Sequence, residues 1–241
     1  ITTRLVGSEM CIRDRLKGVE KADEKAYFKG YVRDDGSVGI RNEIWIVNTV
    51  GCVNKTSELL AREANKLFEG KTDGIFNCVH PFGCSQLGDD QKTTQAILKG
   101  LVNHPNAAGV LVLGLGCENN NIPVFKGILG DYNPERIRFM STQDYDNEVE
   151  EGLKLIGELV EYAQKFTRKK CDVSKLVVGL KCGGSDGFSG LTANPLVGQF
   201  SDLLISHGGS TILTEVPEMF GAETLLMNRC HDKETFDKTV D

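Results

Sequence analysis

The sequence lacks any apolar run long enough to cross a membrane, and it is short of proline and of positive charge. No stretch approaches the roughly 20 consecutive apolar residues that a membrane helix needs. Lys and Arg number 28 against 34 Asp and Glu, a formal charge of −6, so no general affinity for nucleic acid or anionic lipid is expected. Six prolines stand beside 27 glycines, a balance typical of many tight strand-to-helix turns.

The sequence also lacks paired cysteines of the C-x-x-C type, the spacing of a zinc ribbon or zinc finger. A disulfide framework is typical of small secreted domains, whereas this chain is long and shows no signal peptide. We therefore expect reduced thiols and a cytoplasmic protein. The eight cysteines are Cys11, Cys52, Cys78, Cys84, Cys117, Cys171, Cys182 and Cys230.

Length and composition predict a folded chain with one large domain or two modest ones. The 241 residues are 40% hydrophobic and 26% charged, which excludes a disordered chain. Residues 1–15 show no clear period and resemble a peptide read from a sequencing adapter; an ordinary disordered leader is the alternative. The expected organisation is a non-native leader at 1–15, a linker at 16–29, a central α/β domain at 30–170 and the truncated start of a second α/β domain at 175–241.

Strand and helix patterns alternate along the chain, which predicts an α/β fold with a mostly parallel sheet and flanking helices, in two α/β units. A hairpin turn is expected at Asp34, Asp35 and Gly36. The predicted strands lie at 43–50, 74–79, 109–115, 136–141, 176–180 and 210–213. The predicted helices lie at 54–68, 89–102, 147–168, 195–206, 217–227 and 232–240, and the polar stretch 169–174 is the expected boundary.

Four of the predicted strands are followed by a cysteine next to glycine. These cysteines are Cys52, Cys84, Cys117 and Cys182. Ligands of a parallel sheet lie beyond the carboxyl ends of its strands, and glycine lets the backbone approach them closely. Thiolates at one edge suit iron or zinc, and three with an open position suit an iron–sulfur cluster. The alternative is that each cysteine is a small buried apolar residue.

Other candidate residues lie near these cysteines or on neighbouring turns. His80 follows a predicted strand and precedes Cys84 by four residues, so it is a candidate ligand or general base, with a structural histidine as the alternative. Glu118 is a candidate ligand or base beside Cys117. Arg41 is a candidate clamp for a substrate carboxylate, although a solvated surface Arg is the default for it and for Arg33.

Two short motifs indicate other chemistries more weakly. The run Gly114-Leu115-Gly116 lacks the third glycine of a dinucleotide-binding loop, because Asn119 stands there. The run from Gly183 to Gly187 matches a nucleophile elbow centred on Ser185, which keeps a serine hydrolase open as an alternative. However, no helix is expected directly after it.

The order of several motifs resembles the altronate/galactarate dehydratase family. The resemblance runs from residue 30 to about 240 and is closer to the altronate branch, because Cys-Ser-Gln-Leu-Gly-Asp-Asp and Val-Pro-Glu-Met-Phe are more similar to that branch. The matching segments are 30–33, 35–36, 39–42, 49–54, 83–90, 104–106, 114–119, 182–187, 192–195 and 214–223.

This resemblance implies a cytoplasmic, iron-dependent hydro-lyase of sugar-acid catabolism that converts altronate to 2-dehydro-3-deoxy-gluconate. Galactarate dehydration and carbon–sulfur elimination, as in the sulfolactate sulfo-lyase of the same family, stay open, as does a non-catalytic homologue. The cofactor would be iron, as Fe²⁺ or in an iron–sulfur cluster, with Mn²⁺ as an alternative.

The roles that we attach to this family reaction concern iron, proton transfer and substrate binding. Iron would be held by Cys52, Cys84, Cys117 and Cys182. His80 or Glu118 would act as base. Ser185 and Asp186 would orient hydroxyl groups, and Arg41, Asn119 and Glu215 would bind the sugar acid. Family members carry a small N-terminal domain and continue well past residue 241, so the expected partners are the remaining parts of the same enzyme. Nucleic acid and membrane are not expected partners, and a homo-oligomer stays open.

Overall fold

The computed structural model describes residues 19–181, 183–184, 186–214 and 220–240, which divide into two compact units. The first unit is Phe28–Cys171, and the second combines the described residues up to Tyr27 with those from Asp172 onward. The predicted leader at 1–15 lies outside the described residues.

Strands and helices alternate through the first unit, as the sequence predicts. Its strands are β1 (Tyr27–Val32), β2 (Val38–Gly39), β3 (Glu43–Asn48), β4 (Ile75–Cys78), β5 (Ala107–Gly114), β6 (Ile137–Ser141) and β7 (Lys169–Asp172). Its α-helices are α1 (Asn54–Leu67), α2 (Gly88–Val102), α3 (Ile122–Leu129) and α4 (Glu148–Ala163).

The centre of the first unit is a four-stranded parallel sheet in the order β4-β3-β5-β6. All eight residues of β5, the run Ala-Ala-Gly-Val-Leu-Val-Leu-Gly, are buried. A parallel strand covered on both faces reads as a continuous apolar run for this reason. The predicted α/β class with a mostly parallel sheet and flanking helices is therefore confirmed.

Helices bury both faces of this sheet. On one face, α1 and α4 contribute Leu60, Ile156 and Leu159 to a core with strand residues such as Ile46 and Leu111. On the other face, α2 and α3 contribute a second set of buried side chains. These are Leu98, Val102, Phe125 and Leu129, which join Val47, Val110, Val112 and Ile137. The unit is thus a three-layer α/β/α arrangement.

A smaller sheet in the order β2-β1-β7 flanks this core, and the hairpin turn predicted between β1 and β2 is present. Arg33, just after β1, is only 5% exposed, so its default as a solvated surface residue is wrong. Its guanidinium donates to the carbonyl oxygens of Pro105 and Arg41 and to Oδ1 of Asn42, at 2.7–2.8 Å. Burial lowers the pKa of Arg33 to about 10, which leaves it charged at neutral pH.

The second unit contains a short parallel pair, β8 (Val177–Leu180) and β9 (Ser210–Leu213). Its helices are α5 (Ala193–Ser206), α6 (Glu223–Met227) and α7 (Lys233–Val240). Among the residues that the structure describes in either unit, no helix is long and apolar enough to span a bilayer.

Candidate active site

The polar residues at the carboxyl edge of the four-stranded sheet lie on three turns that contact one another. We call residues 49–53, after β3, the β3 turn; residues 79–87, after β4, the β4 turn; and residues 115–121, after β5, the β5 turn. The strands β3 and β5 are neighbours, but α1 and α3, which follow them, cover opposite faces of the sheet. Such a reversal opens a crevice at the carboxyl edge, where parallel sheets bind ligands.

Backbone hydrogen bonds join the three turns directly. The amide of Gly51 donates to the carbonyl oxygen of Phe82 at 2.7 Å, which joins the β3 and β4 turns. The amide of Asn119 donates to the carbonyl oxygen of Cys84 at 3.2 Å, which joins the β5 and β4 turns. A Cβ atom on Gly51 would lie 2.8 Å from the carbonyl oxygen of His80, so only glycine allows this approach.

A small recess opens where the three turns meet the start of α2. Polar side chains from the turns and from α2 line it, together with one aromatic ring and one thiol. The lining residues are Thr49, Phe82, Gly83, Cys84, Gln86, Gln91, Thr94, Glu118, Asn119 and Asn120.

Glu118 is buried at the base of this recess, with only 2% of its surface exposed. One carboxylate oxygen accepts from the hydroxyl of Thr49 at 2.6 Å and from the amide of Leu115 at 3.1 Å. The other accepts from the amide of Gly116 at 2.6 Å. Burial raises the pKa of Glu118, but these hydrogen bonds outweigh it and hold the pKa below its ordinary value. The group is therefore an ionised carboxylate at neutral pH.

His80, the first polar residue of the β4 turn, uses both of its ring nitrogens locally. Its Nε2 lies 3.0 Å from the carbonyl oxygen of Asn48 and donates to it, and its Nδ1 accepts from the amide of Phe82 at 3.3 Å. In this arrangement the ring donates through Nε2 and accepts through Nδ1. The carbonyl oxygen of His80 in turn accepts from the side-chain amide of Asn54 at 2.9 Å.

Three of the four predicted iron-binding cysteines lie on these turns. Cys52, Cys84 and Cys117 are free, exposed thiols, one on each turn. Accessible thiols at one sheet edge fit iron in donor chemistry. Within the described part of the chain, however, no three Cys, His, Asp or Glu side chains gather closely enough to hold a metal ion. The described residues therefore supply thiol donors without a complete coordination sphere.

The other predicted site residues are distributed more widely. Asn119 lines the recess and is exposed. Arg41 precedes β3, at the amino edge of the sheet, so the structure does not bring it together with the three turns. Asp186 belongs to the second unit, where its carboxylate accepts from the amide of Phe188 at 3.0 Å. Cys182, Ser185 and Glu215 lie outside the described residues.

Sequence reasoning missed two residues at the end of β3 that organise this edge. Asn48 and Thr49 are buried polar residues that directly follow the apolar run of β3. The side-chain amide of Asn48 donates to Asn54 and Ser57 at 2.9 Å, and its Oδ1 has no partner among the described residues. Two polar residues that end a buried strand were the signal that could have found them.

The chain matches two family domains that together span most of its length. Residues 30–164 match the family described as D-galactarate dehydratase/altronate hydrolase, second domain. Residues 173–241 match the family described as D-galactarate/altronate dehydratase, C-terminal.

Curated relatives carry the same family names. An altronate dehydratase from Bacillus subtilis (strain 168) is 51% identical over 91% of this chain and 45% of its own length. An altronate dehydratase from Escherichia coli (strain K12) is 51% identical over 87% of this chain and 43% of its own length. The beta subunit of a (2R)-sulfolactate sulfo-lyase from Chromohalobacter salexigens is 33% identical over 84% of this chain and 50% of its own length. The chain thus spans half or less of the length of these relatives, and it belongs to the D-galactarate/altronate dehydratase family.

Proposed function

We propose that the full-length protein containing this chain is a hydro-lyase that dehydrates a sugar acid, with altronate as the substrate and 2-dehydro-3-deoxy-gluconate as the product. The observation that carries this proposal is the 51% identity to two altronate dehydratases over about nine-tenths of the chain. The matched second domain, residues 30–164, contains all three cysteine-bearing turns.

The reaction removes the proton at C2 of the acid and the hydroxyl at C3, and the resulting enol becomes a 2-keto-3-deoxy acid. The C2 proton is weakly acidic because it lies beside an ionised carboxylate, and hydroxide leaves poorly without assistance. The enzyme therefore has to stabilise an enediolate, protonate or coordinate the leaving hydroxyl, and present a base to C2.

We propose iron as the cofactor, bound through Cys52, Cys84 and Cys117, with Cys182 as a further ligand predicted from the sequence. Their soft sulfur donors suit Fe²⁺ or an iron–sulfur cluster better than a hard cation, although Mn²⁺ stays an alternative. When bound, iron supplies a Lewis acid to the substrate carboxylate and hydroxyl groups.

The chain's own polar residues account for part of the substrate binding in this proposal. The exposed side chain of Asn119 and the neighbouring Gln86 both line the recess, and in this proposal they bond hydroxyl groups of the sugar acid. The base at C2 stays a prediction for His80 or Glu118, and so do the sequence-derived roles of Arg41, Ser185, Asp186 and Glu215. The hydrogen bonds of His80 and Glu118 favour another role, which is developed below.

The test of the reaction class uses the full-length protein, purified anaerobically with ferrous iron. Altronate, galactarate and (2R)-sulfolactate are supplied separately, and keto-deoxy acid or sulfite is measured. We expect keto-deoxy acid from altronate alone. Sulfite from sulfolactate would replace the proposal with carbon–sulfur elimination, which the 33% identity to a sulfo-lyase subunit supports. No product from any of the three would refute a dehydratase of this substrate class.

The test of the metal site measures iron content in cysteine variants. Cys84→Ala, Cys117→Ala and Cys182→Ala should each lose most of the bound iron. Cys78→Ala is the matched control, because Cys78 lies half-buried in β4, and burial raises the pKa of its thiol. Wild-type iron content in the first two variants would remove Cys84 and Cys117 from the site.

A further inference from the structure

Two buried or half-buried side chains connect the cysteine-bearing turns to the end of β3. We propose that His80 and Glu118 are positioning residues, which fasten the β4 turn and the β5 turn to Asn48 and Thr49 and so hold their cysteines beside the β3 turn. The inference deepens the proposed function, on which it rests only where it concerns iron. It assigns to both residues a role other than general base.

The bonds of Glu118 fix the shape of the β5 turn. Its two oxygens gather three donors: the hydroxyl of Thr49 at the end of β3 and the amides of Leu115 and Gly116, which immediately precede Cys117. Hydrogen bonds to an ionised, buried acceptor are stronger than those between neutral groups. Glu118 therefore bridges β3 and β5 across the crevice and fixes the backbone from which Cys117 projects.

The burial of Glu118 also opposes a role as base. A base must come within hydrogen-bond reach of the proton that it removes. With 2% of its surface exposed and both oxygens engaged, this carboxylate would have to give up a hydrogen bond that shapes the β5 turn before it could take a proton. Gly114 leaves room for this carboxylate, because a Cβ atom at residue 114 would lie 2.7 Å from Oε1 of Glu118.

His80 holds the β4 turn in a comparable way. Its Nε2 donates to the carbonyl oxygen of Asn48 in β3, while its Nδ1 accepts from the amide of Phe82 within its own turn. Phe82 then accepts from the amide of Gly51 at 2.7 Å, which connects the β4 turn to the residue preceding Cys52. The imidazole thus joins β3 to the turn that carries Cys84, with both nitrogens in use.

Fastened turns matter because ligands that are already ordered lose less conformational freedom when a metal binds. Each turn carries one exposed thiol on a backbone held by its neighbours. The proposal predicts that loss of the hydrogen bonds of Glu118 increases opening of the β5 turn first, and that loss of those of His80 increases opening of the β4 turn first. The rest of the sheet should stay closed, since buried core strands open only at free energies close to that of global unfolding.

The experiment on Glu118 measures amide hydrogen exchange by mass spectrometry in the metal-free, full-length protein. Glu118→Gln places an amide donor against backbone donors, and Thr49→Val removes one donor without touching the acid. In Glu118→Gln we expect exchange at the amides of Leu115 and Gly116 to accelerate about tenfold or more, the factor for roughly 1.4 kcal/mol. Thr49→Val should accelerate the same amides to a smaller extent. Asp144→Asn, an exposed carboxylate near the end of β6, is the control and should leave them unchanged.

The experiment on His80 compares two substitutions. A glutamine side chain can donate to the carbonyl oxygen of Asn48 as Nε2 of His80 does, whereas leucine cannot. His80→Leu should accelerate exchange at the amide of Gly51 about tenfold, and His80→Gln should restore most of the protection. Labelling of Cys171, a buried thiol in β7, reports any global unfolding in either variant.

Iron affinity, measured by competition with a chelator, gives the second readout. We expect Glu118→Gln, Thr49→Val and His80→Leu to weaken iron binding at least about tenfold with little labelling of Cys171, since loss of a supporting residue commonly costs about 10–100-fold in metal affinity. His80→Gln should stay within about threefold of the wild-type affinity. Unchanged exchange in Glu118→Gln and His80→Leu would overturn the positioning roles. Wild-type protein without iron would instead overturn the proposed cofactor, while the exchange measurements would still decide the positioning roles.

Discussion

The replacement of Gly51 by alanine provides the sharpest test of the contact between the β3 and β4 turns. An alanine Cβ would lie 2.8 Å from the carbonyl oxygen of His80 and 3.0 Å from that of Phe82. Both neighbours are backbone atoms, so relief requires one of the turns to move. Overpacking of this kind costs about 1–3 kcal/mol. Loss of the hydrogen bond from Gly51 to Phe82 adds about 0.5–1.5 kcal/mol.

We therefore expect Gly51→Ala to lower the free energy of unfolding by roughly 2–4 kcal/mol, read from the urea midpoint of the first unit. The matched control is Gly83→Ala in the β4 turn, where a Cβ atom would meet nothing within 4 Å. That control should change stability by less than about 0.5 kcal/mol. Equal urea midpoints for the two variants would refute the reasoning, since they differ only in the space available to one methyl group.

Further predictions concern the buried polar and aromatic residues of the first unit. Arg33→Lys should destabilise it by roughly 2–4 kcal/mol, because an ammonium cannot reproduce the three guanidinium bonds, whereas exposed Arg41→Lys should cost under about 0.5 kcal/mol in the same urea titration. Phe125→Ala should cost about 3–5 kcal/mol because that ring is fully buried, while Phe76→Ala, at a half-exposed ring, should cost clearly less by thermal denaturation. Burial lowers the pKa of His104 below 6.5, so the unfolded state binds the extra proton and stability should fall as the pH drops through that range. His104→Gln should reduce this loss between pH 7 and 5; an equal loss in both proteins would contradict the assignment.

The alternating strands and helices around the central sheet could be predicted from the sequence, because their apolar residues recur with the period of a buried strand or an amphipathic helix. The run that became β5 is buried along its whole length, and this is what a strand covered on both faces requires. Strands and helices on either side of it were located within a few residues. Two helix bounds were wrong by more than a few residues. The helix predicted at 147–168 ends at Ala163, because the following residues turn toward β7. The helix predicted at 217–227 begins only at Glu223, since the described residues 220–222 form a turn.

The elements that were missed are short or polar. The helix α3 has eight residues, and its signal was local: Asn121 accepts from the amide of Val124, and a proline stands in its first turn. The segment that forms β7 predicts a polar boundary rather than a strand, because three of its four residues are charged. Pairing with β1, far away in the sequence, decides its conformation. No local pattern contains that information.

In the candidate site too, the positions of the backbone turns could be predicted from the sequence, whereas the directions of the side chains could not. The Gly-Cys pairs after three strands predicted where the turns would lie, since parallel strands end at one edge. What the sequence could not give was the direction of individual side chains. Glu118 and Cys117 are neighbours in the chain, yet one is buried and the other exposed. Arg41 was predicted to join the site, but it precedes β3 and therefore lies at the amino edge of the sheet, opposite the three turns.

The pairing of β1 with β7 has a consequence for how the first unit can be inherited. The chain enters this unit beside the point where it leaves, and the amide of Val173 donates to the carbonyl oxygen of Ala26 at 3.0 Å just outside it. A domain whose two ends lie side by side can be inserted into a host loop, or deleted from one, with little change in the spacing of the flanking chain. The first unit therefore meets the geometric condition for insertion into another chain as a whole, without any change in the relative positions of its three cysteine-bearing turns.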